Sequence, residues 1–292
     1  MKEFPFLGED KRLDADERAK LPGAFIETPL GVVHYELAGP EEAPLVVLVH
    51  GFSVPYFIWD PTYEALVAAG LRVLRYDLFG RGFSDRPLVT YDEDLFDRQL
   101  IDLLDALGVS QAVHLLGLSM GGMIVANFTD RHPERVLKLG FVDPAGFELN
   151  FPLTLRLVTL PGIGEVLFSL FGDSTLLKGM ASDFFSPELV NAFLESYKPQ
   201  MKYKGFKRAI LSTMRAGILG DKLAVYQRVG AQDRDVLLVW GREDETVPFE
   251  HSAKLVKAIP QARFYPIDGA GHVPHYEKAA EVNPLIVAFY QD

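Results

Sequence analysis

Short, uninterrupted apolar runs recur along this chain and restrict its fold more than any other feature. The run at residues 45–49 reads Leu-Val-Val-Leu-Val, and similar runs occupy Leu71–Tyr76, Ala112–Leu116, Val136–Val142 and Val236–Trp240. Such a run, bounded by polar residues, is typical of a strand that is buried on both faces, as in a parallel sheet. The repetition therefore predicts a sheet that is covered from both sides.

Segments with helical periodicity lie between these runs. Tyr91–Leu107 is the clearest, because its leucines and Phe96 form one stripe and Gly108 follows its end. Upstream, Ala24–Thr28 and Gly31–Leu37 predict two further strands joined by a tight turn. Strands that alternate with helices predict an α/β fold, with a mostly parallel sheet flanked by helices.

The alternation stops after Asp143 and resumes near Asp235, and the residues between hold helix-like pieces rich in Phe, Leu and Met. A chain of 292 residues is also near the upper size of a single hydrophobic core. We therefore expect an α/β core formed by residues 1–146 and 232–292, with a helical cap, or lid, inserted at residues 147–231.

Charge and cysteine content exclude several classes of protein. The chain has 29 basic and 40 acidic residues, a net charge of −11, and no cysteine. An acidic surface repels nucleic acid and anionic lipid, and the missing thiols exclude disulfides, thiolate metal sites and a cysteine nucleophile. No apolar run is long enough for a signal peptide or a spanning helix, so we expect a soluble, cytoplasmic protein without an integral membrane segment. Oligomeric state stays open.

The motif Gly117-Leu118-Ser119-Met120-Gly121 directly follows one of the predicted strands and precedes a predicted helix at Met123–Arg131. This is the context of a nucleophile elbow, in which a sharp turn exposes a serine at the end of a strand. Flanking glycines permit the close turn, and the helix N-terminus directs its N–H groups toward the site where an oxyanion would form. We predict Ser119 as the nucleophile.

A nucleophilic serine needs a general base. His272 lies in a glycine-rich loop after the predicted strand Arg263–Ile267, and such a loop can bring an imidazole to the sheet edge. We favour His272, with His275 as its competitor. His251 is expected to be solvated on a surface helix over residues 250–259, and His114, within a strand, to be a hydrogen-bonded core residue.

The base needs an acid to orient it. Asp244 follows the strand at Val236–Trp240, and the carboxyl ends of strands are where this architecture collects its chemistry. Asp143, at the end of another strand, is the alternative acid. The glutamates on either side of Asp244 are interpreted as surface residues.

The loop His50-Gly51-Phe52-Ser53 follows the first apolar run. An oxyanion pocket needs two backbone donors, and we predict the N–H groups of Phe52 and Met120. His50 is expected to brace the loop. In the glycine-rich segment at residues 77–85, Asp77 is expected to accept backbone N–H groups rather than to bind a metal, because no further ligands lie at suitable spacing.

Taken together, these motifs resemble the α/β-hydrolase family. The resemblance covers His50-Gly51, the loop from Asp77 to Ser84, the elbow at Gly117–Gly122, Asp244 with Val247-Pro248, and Gly271-His272. It implies a Ser119–His272–Asp244 triad that needs no cofactor or metal ion. The first residues and the lid show no signal specific to this family.

Subfamily features narrow the expected activity. Haloalkane dehalogenases and epoxide hydrolases carry aspartate in place of Ser119. The carbon–carbon bond hydrolases of aromatic degradation have Asn where this chain has Leu118, with a serine- and glycine-rich loop where it has Phe52. Hormone-sensitive-type esterases carry a Gly-Gly-Gly loop. The remaining resemblance is to carboxylesterases and monoacylglycerol lipases.

The predicted lid suggests an apolar small-molecule ester as the substrate. We expect medium-chain or monoacylglycerol-like esters, because ligand sites are mostly apolar and this segment is rich in large apolar residues, namely Phe147, Phe151, Leu155, Leu160, Leu167, Phe168, Phe171, Met180, Phe184 and Phe185. The alternatives are a carbon–carbon (meta-cleavage product) hydrolase, a lactonase or perhydrolase with the same triad, and a non-catalytic binding protein of this fold.

Overall fold

The computed structural model describes residues 4–148 and 157–292. Their strands form a single eight-stranded sheet in the order β1-β2-β4-β3-β5-β6-β7-β8. The strands are β1 Ala24–Thr28, β2 Gly31–Ala38, β3 Leu45–Val49, β4 Arg72–Tyr76, β5 Val113–Leu118, β6 Val136–Val142, β7 Val236–Gly241 and β8 Arg263–Ile267. β2 pairs antiparallel with β1 and β4, and all the other pairs are parallel. The predicted α/β fold is confirmed.

Eleven helices are described in these residues. They are α1 Ala15–Arg18, α2 Asp60–Ala68, α3 Glu93–Ala106, α4 Met120–Arg131, α5 Ile163–Ser182, α6 Pro187–Tyr197, α7 Phe206–Arg215, α8 Leu223–Gly230, α9 His251–Ala258, α10 Pro274–Glu277 and α11 Ala279–Gln291. Three short 3₁₀ turns occupy Tyr56–Trp59, Pro133–Arg135 and Lys198–Lys202. None of the helices in the described segments is long and apolar enough to cross a bilayer.

The apolar runs form strands because both faces of the sheet are covered. Successive side chains of a strand point to opposite faces. Val47 and Val49 accordingly pack into one apolar core with residues of α3 and α4, while Val46 and Leu48 pack into the other with residues of α2 and α11. Burial of each such side chain contributes about 1.5–3 kcal/mol, which explains why these strands are mostly apolar.

Helix α3 follows its sequence signals. The Asp92 side chain accepts the Leu95 N–H at 3.0 Å and caps the helix, a contact worth about 1 kcal/mol. Its apolar stripe, which includes Leu100 and Leu104, is buried against the sheet. The helix ends at Ala106, and Gly108 adopts a φ of +71° that favours glycine.

Helices α5 to α8 follow one another between β6 and β7. Residues of α5, α6 and α7 form a third apolar cluster, which includes Phe168, Leu176, Phe206 and Ile210. Phe151 and Leu155, two residues expected in the lid, lie outside the described residues. The division into a core and a lid at residues 147–231 stays a prediction.

Residues 9–11 lie against these helices. Lys11 donates its N–H to the Lys202 carbonyl at 3.0 Å and accepts the Lys204 N–H at 2.9 Å. The Glu9 carboxylate accepts the Gly205 N–H at 2.8 Å and the Lys207 N–H at 2.6 Å. A carboxylate at this position serves the unpaired donors at the start of α7. These contacts therefore hold residues 9–11 against the start of α7 and the preceding 3₁₀ turn.

Candidate active site

Ser119 occupies a strained turn between β5 and α4. Its φ of 55° and ψ of −121° are unusual for a non-glycine residue, and such strain persists only where the surroundings impose it. A Cβ at Gly117 would lie closer than 3.0 Å to the Gly121 backbone, and one at Gly121 would lie equally close to the Val49 carbonyl. These glycines are required because the backbone segments touch. The geometry is that of the predicted elbow.

His272 and Asp244 form a buried hydrogen-bonded pair. His272 Nδ1 lies 2.7 Å from Asp244 Oδ2 and donates to it, because a carboxylate can only accept. The other oxygen, Oδ1, accepts the N–H groups of Thr246 and Val247, both at 2.8 Å. Burial alone would lower the pKa of His272, but the charge and hydrogen bond of Asp244 outweigh it and raise this pKa to about 9. The pair thus stabilises an imidazolium.

Ser119 and His272 line the same cavity, which has a volume of 520 Å³. The structure therefore brings all three predicted triad positions to one place, at the carboxyl ends of β5 and β7 and in the loop after β8. Their catalytic roles remain a prediction.

The loop after β3 lies directly against Ser119. A Cβ at Gly51 would approach the Ser119 Cβ to 3.3 Å. Phe52 is held by Arg81, whose Nε donates to the Phe52 carbonyl at 2.8 Å. Met120 is the first residue of α4, where a backbone N–H has no partner within the helix. This arrangement is compatible with the predicted donors, Phe52 N–H and Met120 N–H.

His50 braces this loop, as predicted. Its Nδ1 donates to the Gly51 carbonyl at 2.9 Å, and its Nε2 accepts the Leu78 N–H at 2.9 Å. Burial lowers the pKa of His50 to about 4, so the ring stays neutral and keeps both contacts.

The competing histidines are placed elsewhere. His275 packs its ring on Trp59, with the centroids 4.4 Å apart, and its Nε2 contacts the Ile58 carbonyl. His114 is a core residue, but among the described residues its Nδ1 has no hydrogen-bond partner. The prediction that His251 is solvated is wrong. Its ring is buried edge-to-face against Phe147, which comes from the loop after β6.

Asp143, the alternative acid, lies beside the pair instead of replacing it. One carboxyl oxygen of Asp143, one of Asp244 and one ring nitrogen of His272 all lie within 4.8 Å of one another. These three atoms could surround a cation, but His272 Nδ1 and Asp244 Oδ2 already satisfy each other across 2.7 Å. The arrangement is that of a hydrogen-bonded His–Asp pair with a second carboxyl group beside it.

Asp77 organises the glycine-rich turn, as predicted. Its carboxylate accepts the Tyr56 N–H and the Phe83 N–H, each at 2.8 Å. The structure adds an unexpected partner, because His34 Nδ1 lies 2.7 Å from Asp77 Oδ2. The molecule thus contains a second buried His–Asp pair, and sequence spacing gave no sign of it.

Asp183, at the end of α5, is a cavity residue that the sequence analysis missed. Its Oδ1 accepts the Thr246 hydroxyl at 2.5 Å, and its backbone carbonyl accepts the His272 N–H at 2.7 Å. Burial raises the pKa of Asp183 to about 6. The sequence carried no signal for Asp183, because both of its partners lie in loops far away along the chain.

The rest of the cavity wall is mostly apolar, with a few serines and threonines. Its large apolar side chains include Ile58, Leu118, Phe168, Leu176, Phe184 and Phe193. Among the described lining residues there is no lysine or arginine, and Asp183 is the single carboxylate. A volume of 520 Å³ suits a small molecule.

The sheet order, the elbow and the His–Asp pair at the strand ends define an α/β hydrolase. The chain belongs to the α/β-hydrolase fold family, because the sequence model of that family matches residues 44–279. It is therefore identified as a hydrolase.

Particular relatives narrow the comparison. The 2-hydroxy-6-oxo-6-phenylhexa-2,4-dienoate hydrolase of Comamonas testosteroni is 31% identical over 272 residues, which cover 88% of this chain and 91% of the relative. The structure of a meta-cleavage product hydrolase from Pseudomonas fluorescens IP01 matches with a TM-score of 0.74 and 25% identity, covering 92% of this chain and 97% of that one. The enol-lactonase from Burkholderia xenovorans LB400 shares the fold, with a TM-score of 0.77 at 22% identity over 92% of this chain and all of that one. The first two relatives favour the carbon–carbon alternative over the ester prediction.

Proposed function

We propose that this protein is a serine hydrolase in which Ser119 is the nucleophile, His272 the general base and Asp244 the acid that orients it. One observation supports this above all. Ser119, on its strained turn, faces the same cavity as His272, and the ring of His272 is hydrogen-bonded to Asp244.

The reaction would proceed through an acyl-enzyme. His272 Nε2 accepts the Ser119 Oγ proton while Oγ bonds to the substrate carbonyl carbon. The resulting oxyanion accepts the N–H groups of Phe52 and Met120, each worth about 2.7–4 kcal/mol in the transition state. The leaving group departs with the proton from His272. Water, activated by His272 in the same way, then attacks the acyl-enzyme and releases the acid.

For the substrate we propose a neutral ester with an apolar acyl chain, of medium length or monoacylglycerol-like. The cavity wall supports this choice, because its described part is mostly apolar and has a carboxyl group but no lysine or arginine. An acyl chain gains free energy as it leaves water, and a second negative charge beside Asp183 would be repelled.

A carbon–carbon bond hydrolase is the second candidate, and the relatives favour it. The Comamonas testosteroni relative is named for a 2-hydroxy-6-oxodienoate substrate, which carries a carboxylate. The same triad could attack the ketone carbonyl of such a substrate. The described wall of this cavity offers such a carboxylate no lysine or arginine.

A substrate panel separates the two candidates. It compares p-nitrophenyl and glyceryl esters of increasing chain length with a lactone and a 2-hydroxy-6-oxodienoate. We expect kcat/KM to be largest for a neutral ester of medium chain length. A preference for acetate over octanoate would contradict the acyl-pocket proposal, and a preference for the dienoate would establish the second candidate.

Ser119→Ala tests the triad independently of substrate. We expect the variant to fold, to lose labelling by a fluorophosphonate probe and to retain only background hydrolysis. Ser84→Ala is a suitable control, because Ser84 is buried in the Asp77 turn and donates its hydroxyl to the Asp77 carbonyl. Full labelling of Ser119→Ala would refute the assignment.

We also propose that residues 147–231 act as a lid that closes this cavity. Phe168, Leu176, Met180 and Asp183 of this segment supply part of the cavity wall. A cytoplasmic location and the absence of nucleic acid partners stay predictions from composition.

A further inference from the structure

Asp143 is placed beside the His–Asp pair by its backbone. It follows β6 and adopts a φ of 41°, one of two such values among the described non-glycine residues, the other belonging to Ser119. Its N–H donates to the Val239 carbonyl at 3.0 Å, and its Oδ1 accepts the Gly241 N–H at 2.8 Å. A strained backbone persists where its surroundings over-determine it, so the position of this carboxyl group is fixed.

A second buried carboxyl group lies close to Asp143. The side chain is fully buried, and among the described residues no donor reaches its Oδ2. Asp244 lies beside it, within the 4.8 Å that also includes His272. A buried acceptor without a donor is costly, and two adjacent buried carboxyl groups cannot both be ionised.

We propose that Asp143 is a protonated carboxylic acid that donates its proton in a hydrogen bond to the Asp244 carboxylate, and that it thereby acts as a positioning residue for His272. The inference rests on the proposed function of the triad. Burial, followed by the charge of Asp244, raises the pKa of Asp143 well above its usual range, which agrees with this state.

The neutral state has a consequence for catalysis. A neutral Asp143 holds Asp244 in place without adding charge. An ionised Asp143 would set a second negative charge beside His272, favour the imidazolium and deprive Ser119 of a base. The other charged group that acts on Asp143 is Glu277, which also opposes its ionisation.

Two substitutions distinguish this role from plain packing. Asp143→Asn keeps an acceptor for Gly241 N–H and a donor for Asp244, whereas Asp143→Ala removes both. We expect the Ala variant to be labelled by a fluorophosphonate about tenfold to a hundredfold more slowly, the size typical of a lost outer partner of an active-site group. The Asn variant should recover most of this loss.

The pH profile supplies a readout that packing alone would not change. In the wild type, activity should fall at alkaline pH as Asp143 ionises, and in Asp143→Asn this fall should move to higher pH or disappear, because an amide has no proton to lose. Asp102→Asn is the matched control, a buried carboxyl group on α3 that should leave both limbs of the profile in place.

The rate of fluorophosphonate labelling is the measurement, since it needs no known substrate, and thermal melting checks that each variant is folded. An unlabelled wild type would refute the proposed function itself. With a labelled wild type, Asn and Ala variants that are equally slow, or an Ala variant as fast as the wild type, would refute the role of Asp143. The last outcome concerns Zn²⁺. If added Zn²⁺ slows labelling, and EDTA reverses this only when Asp143 is present, then a cation and not a shared proton links the two carboxyl groups, and the proposal is refuted.

Discussion

The sheet and the segment between β6 and β7 bury their apolar side chains in different ways. In β3 and β5 every residue is buried, so both faces of the sheet lie inside apolar cores. Helix α5 buries Phe168 and Leu176 but leaves large apolar side chains in solvent, namely Ile163, Val166, Leu170 and Phe171. The sheet is thus held by continuous packing, whereas the lid segment depends more on individual contacts.

Those individual contacts are mostly polar and come from distant parts of the chain. Asp183 bonds to Thr246 and to the backbone of His272, and Glu9 bonds to the start of α7. The two regions thus divide the candidate site between them. Ser119, Asp244 and His272 follow strands of the sheet, whereas the segment between β6 and β7 supplies part of the cavity wall. The following predictions test this division, from the largest effect to the smallest.

The largest effect should come from a substitution just after β7 that keeps the shape of the side chain. Asp244→Asn should lower kcat by about 10⁴, because an amide favours the wrong tautomer of His272. Steady-state kinetics on the best ester of the panel measures this loss. Asp97→Asn, a buried carboxyl group on α3, is the control, and a similar loss there would show that the effect is general.

Two glycine substitutions compare the regions directly. Gly121→Ala places a Cβ against the Val49 carbonyl, whereas a Cβ at Gly179 in α5 meets nothing within 4 Å. We expect Gly121→Ala to lower the free energy of unfolding by about 3 kcal/mol or more, and Gly179→Ala to raise it by about 0.5–1 kcal/mol. Denaturant titrations measure both, and equal effects would remove the proposed contrast.

The pH dependence of labelling should also separate the regions. His272 must be neutral to accept a proton, so the rate should rise about tenfold per pH unit until the pKa near 9. Asp244 raises this pKa more than Asp183 does. Asp183→Asn should therefore shift the midpoint of the pH profile to lower pH by less than Asp244→Asn does. A larger shift from Asp183→Asn would show that Asp183, and not Asp244, is the main partner of His272.

The same pKa shift links stability to pH. The folded state binds a proton on His272 more tightly than the unfolded chain does, since the pKa is raised from 6.5 to about 9. This contribution is fully present below pH 6.5 and is lost as the pH rises toward 9. Urea titrations of the wild type and His272→Gln should converge at alkaline pH, and a constant difference would contradict the shift.

The smallest effect should come from a single lid contact. Thr246→Val removes the hydroxyl that Asp183 accepts while keeping the shape of the side chain, and it should cost about 1 kcal/mol of stability and raise KM with little change in kcat. The double variant with Asp183→Asn should be less than additive, because both changes remove one bond. Strict additivity would show that the contact contributes nothing.

The two regions also differ in how far their sequence predicted their structure. β3 and β6 begin and end at the predicted residues, because an apolar run that is buried on both faces leaves little freedom in register. Helix α4 begins at Met120 and not at Met123. Its glycines are poor helix formers, and they are retained because the sheet backbone touches them.

Contacts between distant segments account for the failures. His251 looked like a surface residue because its own helix is amphipathic, and Phe147, over a hundred residues away, covers it. Asp183 gave no sequence signal because its partners, Thr246 and His272, belong to other loops. Asp143 and Asp244 were weighed as rivals, and only the pairing of β6 with β7 shows that they are neighbours. Periodicity records which face is buried but not what covers it.

The bond from His272 N–H to the Asp183 carbonyl joins the end of α5 to the loop that carries the imidazole. A Cβ at Gly271 would collide with the Asp183 carbonyl and the Phe185 N–H, so the two backbones are in direct contact beside the imidazole. Lifting the segment here would pull on the base itself. A route for substrate that leaves His272 undisturbed must therefore open away from this end of α5.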